Sequence, residues 1–147
     1  LLDDRIDIIT TDHAPHTIVE KQKPYFQSMS GAPMVQHSLN CMLEFYKQGL
    51  ISLEKIVEKM CHNPAILYRM EKRGFIKEGY YADLTLVDLN SEWTVAKDNL
   101  LYKCGWSPME GTTFHAKVRQ TFVNGNLVYD NGEFNEQVKG REIAFRK

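Results

Sequence analysis

Asp12, His13 and His16 crowd into the string Thr11-Asp12-His13-Ala14-Pro15-His16, and Lys21 follows a few residues on. A carboxylate and imidazoles at such close spacing can hold a metal ion, carry a proton or fix an anion. By residue type alone, Asp12 is a candidate metal ligand or general base, and His16 a candidate ligand or anion contact. In an extended segment His13 points to the side opposite Asp12, which assigns it to packing or support. Lys21 reads as a solvated loop charge.

These residues need a rigid element to present them. Ile6 to Thr10 is a short apolar, β-branched run, too short for a helix and typical of a strand buried on both faces. Polar and proline-broken residues follow it, so the candidate site stands where a buried parallel strand opens into a loop. In a (β/α)8 barrel that edge is where catalytic residues sit. The loop is long, running through Lys21, Lys23 and Pro24 to Ser30-Gly31, and the part from Thr17 to Ser30 has the character of a lid.

Beyond the loop, Pro33 fits the first turn of a helix carrying Val35, Leu39, Met42, Leu43 and Tyr46 on one face, with Gly49 closing it. Ser52 caps a second helix with Leu53, Ile56, Val57 and Met60. Asn63-Pro64 opens a third, through about Met70. From Gly74 the texture turns to β. Ala82 to Val87 reads as a strand, Trp93 and Val95 alternate with polar neighbours, and so does Lys117 to Val123. Asn124-Gly125 is the strongest hairpin signal, because both central residues of such a turn take positive φ.

Composition narrows the function classes. The chain has 147 residues, 43% hydrophobic and 25% charged, enough for a real core. A formal charge of -1 gives no basic footprint for nucleic acid or an anionic membrane. Apolar runs fall far short of the roughly 20 residues that span a bilayer, and no signal-like segment opens the chain, so a cytoplasmic protein is expected. Cys41, Cys61 and Cys104 are odd in number and lack zinc-finger spacing, which points to reduced, mostly buried thiols. The start at Leu1, running straight into a strand pattern, looks like a sequence entered in its middle.

The string from Asp12 to Lys21 resembles the second signature of the dihydroorotase family, D-x-A-P-H-x4-K after a small or hydroxyl residue, here Thr10 or Thr11 depending on register. Ser30-Gly31-Ala32-Pro33-Met34-Val35-Gln36-His37-Ser38-Leu39 resembles the substrate-side loop and last barrel helix of the bacterial single-chain type. Asn63-Pro64-Ala65, Gly74 with Gly79 and Ala82-Asp83-Leu84, Ser107-Pro108-Met109-Glu110-Gly111 and Thr121-Phe122-Val123-Asn124-Gly125 resemble the tail of cyclic amidohydrolases. The likeness runs from about Asp7 to Gly132. The N-P-A, A-D-L and V-N-G elements are common to many amidohydrolases; His16 singles out dihydroorotase, since hydantoinases and allantoinases usually carry another residue there.

The resemblance implies an α/β fold, the C-terminal part of a (β/α)8 barrel plus part of a small β-sandwich. Residues 1–73 would hold the last barrel strand, the active-site loop and C-terminal barrel helices, and residues 74–147 a sandwich segment and tail. It implies an enzyme interconverting dihydroorotate and N-carbamoyl-L-aspartate with two divalent metal ions, zinc being expected. Asp12 would be both metal ligand and catalytic proton carrier. His16 would bind the substrate carboxylate, and Gly31 and Ala32 would meet the pyrimidine edge, the glycine where backbone approaches ligand. His37, His62 and His115 are assigned to packing or surface.

The family's other metal ligands, an H-x-H pair, a lysine and two later histidines, have no match in the chain. It is therefore expected to need the remainder of a barrel, to be inactive alone, and to act on a small molecule, as a homo-oligomer in some relatives. Two alternatives stay open: another cyclic amidase, such as a hydantoinase or allantoinase, and a metal-free dihydroorotase-like scaffold for a partner such as aspartate transcarbamoylase.

Overall fold

The computed structural model describes residues 1–146 and has a helical first half and a β second half. The helices are α1 (Ile18–Lys21), α2 (Ser38–Lys47), α3 (Leu53–Val57) and α4 (Asn63–Leu67). The strands are β1 (Leu84–Asp88), β2 (Trp93–Thr94), β3 (Thr113–Phe114), β4 (Lys117–Val123), β5 (Asn126–Asp130) and β6 (Glu133–Phe134). β1-β4-β5-β6 form one antiparallel sheet, and β2 and β3 pair separately. No helix among the described residues is long and apolar enough to cross a membrane.

Local chemistry explains several elements. Asn124 and Gly125 sit at φ 53° and 81° between β4 and β5, as a type I′ turn requires. The Ser52 hydroxyl accepts the Lys55 N–H at 3.2 Å and starts α3. Gly49, at φ 72°, closes α2 with its N–H on the Tyr46 carbonyl.

Four expectations need correction. α2 begins at Ser38, not near Pro33, because the Met34 and Val35 amides are taken by the His13 ring. Asn63 does not open a separate helix: a π-helical turn, Glu58–His62, joins α3 to α4. Pro64 lacks the N–H that a regular α-turn would use there, which suits it to this irregular junction. Ile6 to Thr10 forms no ladder; Ile6 lies in a bend and is 54% exposed, and the Ile9 N–H donates to the Lys59 carbonyl. A strand exists through its neighbours, and no described strand lies alongside. The cysteines are free, but Cys61 is exposed and the other two are half-buried.

One core joins the two halves. Met42, Leu43, Ile51 and Ile56 pack with Ala116, and Ile9, Val87 and Leu89 close around them. Leu43 is 3% exposed, and its burial contributes about 1.5–3 kcal/mol. The Ala116 carbonyl accepts Asn40 Nδ2 at 2.9 Å and Trp93 Nε1 at 3.0 Å, tying α2 to the β half.

The motifs shared by many amidohydrolases prove to be fasteners. Asn63 Nδ2 donates to the Asp7 carbonyl at 2.7 Å. Arg73 bridges the Asp83 carboxylate and the Asn124 side chain, and the Asn124 N–H donates back to Asp83 at 2.7 Å. These bonds fix the segment entering the candidate site and lock the hairpin to the turn after α4.

A second fastener is charged. Asp4 Oδ1 meets Lys59 Nζ at 2.8 Å and Lys55 Nζ at 2.9 Å. The hydrogen bonds from Lys59 and then Lys55 hold the Asp4 carboxyl at about 2, below its ordinary value of 3.8. A depressed carboxyl pKa stabilises the fold fully above the unfolded value, and the contribution is lost as pH falls through the folded one. The Leu1–Asp7 segment should therefore loosen between about pH 4 and pH 2, seen as a falling hydrogen-exchange protection factor at the Ile9 amide. Asp4→Asn, which tolerates the φ of 59° at this position, should bring that lower protection to neutral pH and abolish its dependence on acid. A protection factor unchanged by acid in the unsubstituted protein would contradict the assignment.

Candidate active site

The segment from Asp12 to His16 lies beside Gly31 and Ala32. His13 and Ala32 form a parallel bridge, and the Ala14 N–H donates to the Ala32 carbonyl at 3.1 Å. All four residues expected to contact substrate or metal, Asp12, His16, Gly31 and Ala32, are thus carried on two adjoining strips of backbone.

Asp12 and His13 diverge. Asp12 is exposed, adopts φ 41°, and makes no side-chain hydrogen bond or ion pair with a described residue. A positive φ outside glycine is uncommon, though aspartate is enriched there, and such outliers cluster at functional sites. The His13 ring turns inward: Nδ1 accepts the Met34 N–H at 3.1 Å and the Val35 N–H at 3.3 Å. Nδ1 therefore carries no proton, and the ring rests 5.3 Å from that of Tyr102. The supporting place assigned to His13 from its alternation agrees with this.

His16 is anchored by its backbone alone. Its N–H donates to the Ala14 carbonyl at 3.0 Å, and its carbonyl accepts Trp106 Nε1 at 2.7 Å. The imidazole has no hydrogen-bond partner among the described residues. Immediately afterwards Thr17 caps α1 in a reciprocal box with Glu20.

Gly31 has φ 86°, and a Cβ built on it would lie 2.5 Å from the Ala14 Cβ. The close approach that demands glycine is thus to Ala14, within the chain itself. Lys21, expected in solvent, is half-buried instead: its Nζ donates to the carbonyls of Met29 and Gly31, the latter at 2.9 Å. It cross-braces the loop by tying the end of α1 to the Met29–Gly31 stretch. The loop tip remains bare, with Tyr25 88% and Phe26 96% exposed.

His37, at the start of α2, is fully buried. Its Nδ1 lies 2.9 Å from the Tyr102 hydroxyl and 3.3 Å from that of Ser107. Burial pushes its pKa below the ordinary histidine value, so the ring is neutral. Trp93 and Phe114 flank it, and its Nε2 has no partner among the described residues. His62 stacks on Phe75 at 4.3 Å, and His115 Nδ1 sits 3.0 Å from Glu44. All three have packing or surface surroundings. The described residues bring no three His, Cys, Asp or Glu side chains together in a group able to hold a metal ion.

Sequence reading missed Tyr102 and Trp106, which reach His13 and His16 from 89 and 90 positions away. The one available signal was that Trp106 directly precedes Ser107-Pro108-Met109-Glu110-Gly111.

The amidohydrolase family matches residues 1–128. A dihydroorotase from Pyrococcus furiosus is 38% identical over 141 residues, 96% of this chain and 33% of that protein. Another, from Halobacterium salinarum, is 37% identical over 145 residues, 97% of this chain and 33% of its own length. Among solved structures, an L-hydantoinase (dihydropyrimidinase) from Arthrobacter aurescens superposes with TM-score 0.86 at 30% identity, covering 96% of this chain and 33% of that one. A D-hydantoinase from a Thermus species, at 20% identity and TM-score 0.82, shares the fold. The chain spans about a third of the length of the curated relatives it matches. The mixed α/β architecture is the one these structures have over the same stretch.

Proposed function

The chain belongs to the amidohydrolase family, and from that premise we propose that it supplies the C-terminal third of a dihydroorotase, interconverting dihydroorotate and N-carbamoyl-L-aspartate. The observation that carries this reading is the pairing of the Asp12–His16 segment with Gly31–Ala32. The His13 ring and the Lys21 ammonium are committed to internal bonds, whereas the Asp12 carboxylate and the His16 imidazole have no partner among the described residues and are left for a ligand. Residues 1–73 would complete the catalytic barrel and residues 74–147 the accompanying sandwich. Bare apolar groups such as Ile6, Val19, Phe26 and Ile76, 54% to 96% exposed, suit surfaces that pack against the remainder.

The family is metal-dependent, and the donor set here fits as one part of a metal site. Asp12 offers an exposed carboxylate with no competing cation among the described residues, and the remaining ligands of two divalent ions, zinc by expectation, would come from elsewhere in the complete protein. Such ions, when bound, polarise the amide carbonyl and lower the pKa of water. Asp12 would then serve as ligand through one oxygen and proton carrier through the other, delivering the proton to the departing ring nitrogen. His16 would donate to the substrate carboxylate, a charge-assisted contact that sets the ring in register. Gly31 and Ala32 would form the wall behind the pyrimidine edge.

A second cyclic-amidase reading has one observation in its favour, the structural likeness to the L-hydantoinase at 30% identity. Against it stand His16, which an uncharged hydantoin ring does not need, and dihydroorotase relatives at up to 38%. The test is His16→Ala in the full-length protein. Losing a hydrogen bond to a charged group should weaken N-carbamoyl-aspartate binding by about 10- to 100-fold. Metal content should be unchanged. Unaltered affinity, or lost metal, would overturn the role given to His16.

A further inference from the structure

We propose that Trp106 is a positioning residue for substrate recognition, acting by holding the His16 peptide so that its imidazole meets the substrate carboxylate; this rests on the dihydroorotase reading above. Trp106 Nε1 donates to the His16 carbonyl at 2.7 Å across 90 positions of sequence. Every other backbone bond around His16 is local. The His16 N–H goes to Ala14, two residues back, and the Thr17 N–H goes to Glu20 within the capping box. Ala14 is tethered to Ala32 on one side, and Lys21 to Met29 and Gly31 on the other. Between these tethers, Trp106 makes the single hydrogen bond from a distant element to residues 15–17 among the described residues.

The division of labour at His16 is what makes this more than packing. The backbone is clamped on both sides of the residue, whereas the side chain is unpartnered and available. A recognition side chain works only when its own position is determined before the ligand arrives, since freedom lost on binding subtracts from affinity. An indole N–H in a partly buried setting needs an acceptor, and this fold supplies the one carbonyl whose displacement would move the recognition group. The same stretch supports the other side of the site, where Tyr102 backs the His13 ring that holds the Met34 and Val35 amides.

The experiment is a double-substitution cycle in the full-length, metal-loaded protein. Trp106→Phe keeps most of the ring and removes the donor. Its KM for dihydroorotate should rise about three- to tenfold, the loss expected of one net hydrogen bond, while kcat stays within about twofold. In a His16→Ala background the same change should move KM by less than about twofold, because the group being positioned is gone. The benzothienyl isostere of tryptophan at position 106, lacking only the N–H, repeats the test without a packing gap.

Equal effects of Trp106→Phe in both backgrounds, or a fall in kcat and melting temperature with KM unmoved, would overturn the positioning role and leave the dihydroorotase reading standing. A wild-type protein that does not turn over dihydroorotate would overturn both, and shows itself before any variant is made.

Discussion

Asp12→Asn should lower kcat/KM on dihydroorotate by about 10² to 10⁴, the range for removal of a positioned general acid–base group, without unfolding the full-length protein. Asparagine has the same shape and also tolerates the positive φ of 41°. No described residue pairs with the Asp12 carboxylate, so its neutralisation strands no internal partner. What disappears is the charge that would hold a metal ion and the oxygen that would take and return the proton. Steady-state kinetics beside a thermal melt separate the two consequences. Activity within tenfold of the unsubstituted enzyme, at equal metal loading, would remove Asp12 from the reaction.

Gly74→Ala should be the most damaging small change to the fold, at about 3–5 kcal/mol from left-handed backbone strain plus overpacking. Gly74 has φ 79°, and a Cβ there would stand 2.4 Å from the Ala65 Cβ and 2.8 Å from the Cys61 carbonyl oxygen. The two offended atoms belong to the π turn and to α4, so neither can retreat without disturbing the helical run that carries Lys59 and Asn63. Gly79→Ala is the matched control: φ is 77°, nothing lies within 4 Å, and only the strain, about 1 kcal/mol, should remain. Urea denaturation of the two variants reads the difference. Equal losses would mean that the close approach to Ala65 is not what fixes the glycine.

What the sequence disclosed divides by the range of the interactions involved. The Asn124-Gly125 turn, the Ser52 cap and the Gly49 stop are set by neighbours within a few residues, and all three were legible. The start of α2 was not, because the competitor for its first amides is His13, 21 positions upstream of Met34. Lys21 looked solvated for the same reason: its carbonyl partners become visible only once the loop has turned back on itself. Ile6 to Thr10 has a strand's composition and no strand's neighbours, so its pattern reflects surroundings that the described residues do not provide.

The candidate site shows the same split. The D-H-A-P-H string made Asp12 and His16 candidates through its resemblance to a family signature, and the fold sets that string beside Gly31–Ala32, a juxtaposition no local pattern encodes. Gly31 was singled out for a close backbone approach, and the fold adds one that no local pattern encodes, to Ala14, at a φ of 86°. Trp106 carried no signal of its own, as its partner is a backbone carbonyl 90 positions away.

Which ring the complete protein opens decides most directly between a dihydroorotase and another cyclic amidase. Parallel measurement of kcat/KM for dihydroorotate, hydantoin and allantoin on the full-length, metal-loaded protein should place dihydroorotate first, with that preference lost in His16→Ala. Faster turnover of hydantoin or allantoin, or a preference indifferent to His16, would contradict the dihydroorotase reading.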